Sequence, residues 1–120
     1  MKSIQSNPSP QAIVRKPLLT AIIEGQKLVD RVEIKEIEFV ANQSTGLHLH
    51  PCPVVGYIAE GTILFQVEGQ PAKVLKAGDV FFEPANTRII HFDNPTEERT
   101  KFICYYLLGK EDRDVIKMLP

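Results

Sequence analysis

The sequence predicts an all-β fold, a barrel or sandwich built as one domain. Short apolar runs alternate with glycine, proline and polar turn signals at close intervals, which is the spacing of an all-β domain. No stretch before residue 110 shows a sustained apolar period of about 3.6 residues, so no helix is expected there. A length of 120 residues fits one domain with a single core.

The predicted strands follow one another with short connections. An apolar run at 18–23 ends at a glycine-containing turn, and later turns are predicted wherever glycine interrupts the apolar pattern. The last ten residues, 111–120, are expected to form a tail or a short helix. The main candidate strands are 29–40, 54–59, 62–68, 72–76, 79–83, 87–94 and 101–108.

The first long strand has an irregular apolar pattern. Val32 and Ile34 would lie on one face of a regular strand, whereas Ile37 and Phe39 would lie on the other. A β-bulge near Lys35 would place all four side chains on one face and would let the strand bend around a barrel corner.

The last long strand is apolar on both faces. In "FICYYLL", residues 102–108, neighbouring side chains are apolar whichever way they point, so we expect both faces to be covered. Another sheet, an arm or a second subunit could cover the outer face. A homodimer is therefore one of the expected partners, beside a small-molecule ligand.

Charge and composition exclude several classes of function. The 14 basic and 15 acidic residues are scattered and give a net charge of -1, so nucleic-acid binding is not expected. No apolar run approaches the roughly 20 residues of a membrane span. The two cysteines and the polar N-terminus predict a cytoplasmic protein with a flexible arm over 1–17, a barrel over 18–110 and a tail over 111–120.

The three histidines predict a metal site. His48 and His50 are two residues apart, so in a strand both rings point to one face, about 6.6 Å apart along the backbone. They can share one ion at a metal–nitrogen distance of about 2.0 to 2.1 Å. His91 belongs to another strand-like segment and would be a third ligand if the two strands lie side by side.

The sequence resembles a small single-domain cupin from about residue 36 to residue 108. "HLHPCPVVGYIAEG" is similar to the second half of the first cupin motif, with Gly61 as the closing glycine, and "GDVFFEPANTRIIHFDN" is similar to the second motif. The resemblance implies a jelly-roll barrel, that is, a double-stranded β-helix, often dimeric. It also implies a ligand or a single metal ion inside the barrel.

The sequence departs from the family's ligand pattern at two places. Valines stand at 54 and 55, where the resemblance implies a glutamate ligand, and Ile89 stands where it implies a histidine. Parity places His91 on the same strand face as Ile89, so it is a displaced candidate for that ligand. Asn86 replaces a motif glycine but tolerates a left-handed backbone, so the turn is expected to persist.

Other side chains are candidates to complete or surround the site. Cys52 and Glu83 are further candidate ligands, and Asp93 is a candidate to accept a hydrogen bond from a ligand histidine. Cys52 lies between two prolines, which disfavours a regular strand there. Residues expected to line the pocket are Val54, Val55, Tyr57, Phe65, Phe81, Ile89 and Tyr105.

Three kinds of function remain open on this sequence. Imidazole ligands favour zinc, nickel, copper or iron, and such a site would allow a metal-dependent enzyme of the dioxygenase, isomerase or decarboxylase type. Apolar residues at three usual polar positions favour instead a metal-free barrel that binds a small ligand. A dimeric structural or interaction protein is a third alternative.

Overall fold

Nine β-strands form two antiparallel sheets in the part of the chain that the structure describes. A computed structural model describes residues 12–120, so the first part of the predicted arm, 1–11, lies outside the described residues. The strands are β1 (Arg31–Phe39), β2 (His48–Leu49), β3 (Val54–Glu60), β4 (Thr62–Val67), β5 (Lys73–Lys76), β6 (Val80–Glu83), β7 (Ile89–Asp93), β8 (Thr100–Leu108) and β9 (Lys117–Met118).

The strand order places the two sheets face to face. One sheet has the order β1-β8-β3-β6 and the other the order β5-β4-β7-β2-β9. The prediction of an all-β fold is confirmed. Within 12–120 no helix is long and apolar enough to cross a membrane.

The core between the sheets contains a cluster of five phenylalanines. Their side chains are 2% to 8% exposed, and neighbouring ring centroids lie 4.7 to 6.4 Å apart. Most of these pairs meet edge to face, an arrangement that the ring quadrupole favours beyond simple area burial. Because both sheets contribute rings, this cluster joins the two layers; its members are Phe39, Phe65, Phe81, Phe92 and Phe102.

β1 is regular, so the bulge predicted near Lys35 is wrong. β1 pairs with β8 without interruption from Arg31↔Leu108 to Phe39↔Thr100. Ile37 and Phe39 therefore face the core, whereas Val32 and Ile34 face outwards and are 48% and 61% exposed. The irregular apolar pattern reflects a strand that is apolar on both faces, not an extra residue.

A β-bulge does occur in β7, where no irregularity was predicted. Gln66 pairs with His91 but the next residue, Val67, pairs with Ile89, which leaves Ile90 as the extra residue. The bulge reverses the alternation of side chains. Ile89 is fully buried in the barrel, whereas His91 opposes the half-buried, outward-facing Gln66.

The C-terminal strap, residues 109–120, runs from the end of β8 to the edge of the second sheet, where it contributes β9. The short helix considered for this segment does not form; instead β9 pairs with β2, and Leu119 N–H donates to the Leu47 carbonyl at 3.0 Å. The strap starts at a clamp in which Asp112 accepts hydrogen bonds from Gly109 N–H at 2.7 Å and from Lys27. Pairing with β2 satisfies a strand edge that would otherwise be open.

Candidate metal centre

Two histidines and one glutamate converge inside the barrel. His48 lies in β2, His50 follows that strand, and Glu83 ends β6. One ligand atom from each lies within 4.8 Å of the other two, and the side chains are only 2% to 5% exposed. Buried groups of this kind need hydrogen-bond partners, an opposite charge or a metal ion, and these three side chains lie close enough to share one.

The backbone register explains how Glu83 enters the site. Glu83 is paired directly with Val54 across β3 and β6. Side chains of directly paired residues lie on the same face about 4.5 to 5.5 Å apart. The cupin resemblance implies a glutamate at 54 or 55, where this chain has valines. Glu83, on the adjacent strand, provides a carboxylate on the same inner face as Val54.

Backbone carbonyls orient both imidazoles. His48 Nδ1 donates to the Gly46 carbonyl at 2.7 Å, and His50 Nδ1 donates to the Val115 carbonyl at 2.5 Å. A carbonyl only accepts, so Nδ1 carries the hydrogen in both rings and Nε2 is the atom available as a ligand. Fixing the second ring nitrogen in this way is a usual feature of histidine ligands.

Glu83 connects the ligands electrostatically. Its Oε1 lies 2.8 Å from His50 Nε2, while the buried Oε2 has no hydrogen-bond partner. Burial opposes protonation of His50, but the hydrogen bond and charge of Glu83 outweigh it and raise the pKa of His50. Burial is the dominant effect on His48 and lowers its pKa, which keeps that ring neutral near pH 7.

This donor set fits a divalent transition metal. Two imidazole nitrogens and one carboxylate oxygen could supply three ligands to an ion, which is the number of protein ligands in many catalytic metal sites. The orphaned Glu83 Oε2 and the carbonyl-oriented rings are the two structural observations that support this fit. A metal ion would replace the proton shared between His50 and Glu83.

A cavity of about 270 Å³ opens beside the three ligands. Most of its wall is apolar, with polar groups concentrated at the ligand end and at β1. Tyr106 lies between these two regions, with its ring centroid 5.9 Å from that of His50. The remaining lining residues are Lys35, Ile37, Phe39, Thr45, Phe92, Phe102, Cys104, Val115 and Ile116.

His91 does not join the ligand group. The bulge at Ile90 turns its half-exposed side chain outwards, where Nδ1 donates to Asp93 Oδ2 at 2.8 Å. The expected contact between Asp93 and a histidine therefore forms, but away from the site. This corrects the parity argument, which assumed an uninterrupted strand from Ile89 to His91.

Cys52 is buried but is not part of the ligand group either. Its side chain is fully inaccessible, and burial raises the pKa of its thiol to about 11. A thiol with such a pKa stays protonated near neutral pH, whereas metal binding requires the thiolate. Cys52 is thus a packing residue.

The residues expected to line the pocket lie elsewhere. Four of them are buried in the core, and three belong to the outer face of the β1-β8-β3-β6 sheet. None of the seven lines the cavity beside the ligands. The core residues are Val54, Phe65, Phe81 and Ile89; the outer residues are Val55, Tyr57 and Tyr105.

The comparison with known proteins agrees with the fold. The family model for the cupin domain matches residues 35–106. No curated protein matches the chain significantly. Among solved structures, a cupin-like protein from Thermotoga maritima has a TM-score of 0.61 and 22% identity and covers 73% of this chain and 64% of its own. An RmlC-like cupin from Shewanella frigidimarina has a TM-score of 0.57 and 29% identity, covering 67% and 68%.

Longer enzymes share the same fold. An oxalate oxidase in complex with the substrate analogue glycolate has a TM-score of 0.63 at 18% identity, covering 73% of this chain and 46% of its own. A DMSP lyase from Ruegeria pomeroyi has a TM-score of 0.64 at 20% identity, covering 74% and 43%. This chain therefore spans less than half the length of these two enzymes. The match over 35–106, together with the barrel, shows that the chain belongs to the cupin family.

Proposed function

We propose that the protein binds one divalent transition metal through His48, His50 and Glu83 and takes up a small organic molecule beside it. The observation that carries this proposal is the buried Glu83, whose unpartnered Oε2 lies in a group with two carbonyl-oriented imidazoles. An unpartnered buried carboxylate oxygen is costly, and a cation is the partner that best offsets the cost. Zinc, nickel, copper and iron suit this mixed donor set.

The chain's own groups would prepare the site for a ligand. The Gly46 and Val115 carbonyls hold both rings with Nε2 directed away from the backbone. The apolar walls exclude water, which strengthens electrostatic interactions inside the cavity. When bound, the metal would supply Lewis acidity that polarises a ligand oxygen. The small organic compounds in the names of the oxalate oxidase complex and the DMSP lyase support a ligand of similar size.

Metal analysis of the untagged protein tests the proposal. We expect about one metal ion per chain in the wild type and in His91→Ala, and almost none in the His48→Ala/His50→Ala double variant. His91→Ala is the matched control because it removes an imidazole outside the ligand group. Metal content that is equal in all three proteins would refute the proposal, and content far below one ion per chain in all three would favour a metal-free barrel that binds a small ligand.

A second proposal, that the chain forms a homodimer, is supported by one sheet face. The outer face of the β1-β8-β3-β6 sheet carries an apolar patch to which all four strands contribute in matched register. It spans about 400 Å², estimated from strand spacing and rise. The patch consists of Val32, Ile34, Val55, Tyr57, Val80, Phe82, Ile103, Tyr105 and Leu107.

The preceding segment adds to this surface. Leu18 and Leu19 line a shallow groove on the outer face, yet they remain 60% and 46% exposed. Ile22 is 67% exposed. A standard interface buries roughly 800 Å² per partner, so the sheet face supplies about half of that area before this segment is added. A second copy presents the same apolar surface and would cover both in a two-fold arrangement.

Light scattering tests the dimer. Tyr57→Asp places a charge within the outer face, and we expect it to convert a dimer into a monomer. Val74→Asp is the control, because Val74 is 55% exposed on the other sheet. A wild-type protein that is monomeric at micromolar concentration would contradict this proposal.

A further inference from the structure

Lys35 is the cation of the cavity wall. It lies on the inward-facing parity of β1, opposite Cys104 of β8, and lines the cavity together with the three ligands. Its Nζ lies 5.5 Å from the centroid of the Tyr106 ring. The C-terminal strap also lines this cavity, through Val115 and Ile116.

Within 12–120, Lys35 has no carboxylate partner. Two of the three glutamates on β1 are engaged by other cations: Arg31 contacts Glu33 at 3.7 Å, and Arg99 contacts Glu38 at 3.4 Å. The third, Glu36, follows Lys35 directly and therefore points to the opposite face of the strand. No carboxylate oxygen in the described residues lies within 4.0 Å of Lys35 Nζ. The ammonium lies instead over the Tyr106 ring at the cavity. It can therefore still form an ion pair with an anion that enters the cavity.

Tyr106 sets the spacing between Lys35 and the ligands. The Tyr106 ring centroid lies 5.5 Å from Lys35 Nζ and 5.9 Å from the centroid of the His50 ring. The ammonium is therefore no farther from the imidazole than these two distances together. A linear ligand of about three to six carbons can bridge such a gap, and the wall between its ends is apolar.

We infer, on the basis of the proposed metal site, that the ligand is a small organic acid held at two ends. One end carries the oxygen donors that meet the metal at His48, His50 and Glu83. The other end is a carboxylate that pairs with Lys35, and the carbon chain between them lies against apolar side chains such as Ile37 and Ile116. Lys35 selects for negative charge at a fixed distance from the ion, because a compact ammonium acts as a point charge.

Hydroxamates of graded length test this inference. Acetohydroxamate supplies the metal-binding group alone; the monohydroxamates of succinic, glutaric and adipic acids add a carboxylate at increasing distance. Each acid is compared with its methyl ester by calorimetry on zinc-loaded protein. We expect at least one acid to bind the wild type about fivefold more tightly than its ester, the size of a partly exposed ion pair.

Three variants locate the effect. Lys35→Met keeps the apolar stem and should abolish the preference for acid over ester while leaving acetohydroxamate binding unchanged. Lys35→Arg keeps the charge and should retain the preference. Lys73→Met removes an exposed lysine from β5 and should behave as the wild type.

The outcomes separate this inference from the proposed metal site. Zinc-dependent binding of acetohydroxamate with no advantage for any acid would overturn the inference alone, as would an advantage that survives in Lys35→Met. A wild type that retains no zinc would overturn the metal site and the inference with it.

Discussion

Replacing Glu83 by glutamine separates the metal-binding role of the carboxylate from its structural role. The substitution keeps the size and shape of the side chain and removes its charge. The 2.8 Å contact to His50 Nε2 can persist, because a neutral ring accepts there and the glutamine amide donates. We therefore expect the free energy of unfolding of the metal-free protein to change by only about 1 kcal/mol at pH 8.

Metal affinity should fall much further. Glu83 supplies one of three ligands and the only negative charge among them. Changes to groups that merely support a ligand weaken metal binding by about 10- to 100-fold, so loss of a ligand should cost at least about 100-fold, or roughly 2.7 kcal/mol. Competition with a zinc chelator at pH 7.5 measures the difference. Equal zinc affinities of Glu83→Gln and wild type would refute the assignment of Glu83.

The same variant should change how stability depends on pH. In the metal-free wild type, Glu83 raises the pKa of His50 against the opposing effect of burial. The stabilising contribution is complete below 6.5, the ordinary value, and is lost as the pH rises through the raised pKa. In Glu83→Gln both contributions of Glu83 are lost, whereas burial, which lowers the pKa of His50, and the Val115 hydrogen bond, which raises it, remain, so the stabilisation on acidification shrinks. Urea unfolding in EDTA at pH 6.5 and 8.5 should show less stability gained on acidification in the variant; identical pH dependences would contradict this reasoning.

Further predictions concern the strap, a turn and the cysteines. Asp112→Ala removes the clamp at the start of the strap. It should lower the free energy of unfolding, measured in urea, by about 1 to 3 kcal/mol and weaken zinc binding about tenfold. Unchanged zinc affinity would show that the strap does not support the site. Gly61→Ala should destabilise by at least about 2 kcal/mol in the same assay, because Gly61 has φ 89° and a Cβ there would lie 2.4 Å from the Thr100 hydroxyl; an unchanged unfolding midpoint would contradict this. Burial raises the thiol pKa of Cys52 to about 11 and of Cys104 to about 12, so a thiol reagent at pH 8 should label neither until the protein unfolds, and rapid labelling of the native protein would contradict the buried positions.

The sequence was sufficient for the fold and for two of the three residues of the candidate site. Strand alternation places His48 and His50 on one face, and this holds because nothing interrupts the backbone between them. Glu83 was a candidate, but its role depends on its pairing with Val54, and strand register is not visible in a single sequence. The sequence motif alone therefore could not show that Glu83 lies beside His48 and His50, because that depends on which strands pair and in what register.

Local irregularity and ambiguous parity account for the other differences. A single extra residue, Ile90, turns His91 away from the interior, and no glycine or proline in that segment marks the bulge. In β8 both parities are apolar, so Tyr105 was an equally good candidate as Tyr106, which proved to be the inward residue. Val115 enters the site from the strap, which carried no pattern that linked it to His50.

Because Val54 pairs directly with Glu83, the proposed ligand set is defined by neighbouring positions on the inner face of the barrel and not by consecutive positions in the sequence. A carboxylate anchored at either position starts from the same face of the same sheet. The exchange Val54→Glu with Glu83→Val would thus move the ligand between strands while conserving charge and side-chain content. Such centres are therefore better sought by the distances between side chains in the folded barrel than by the spacing of residues in a sequence motif.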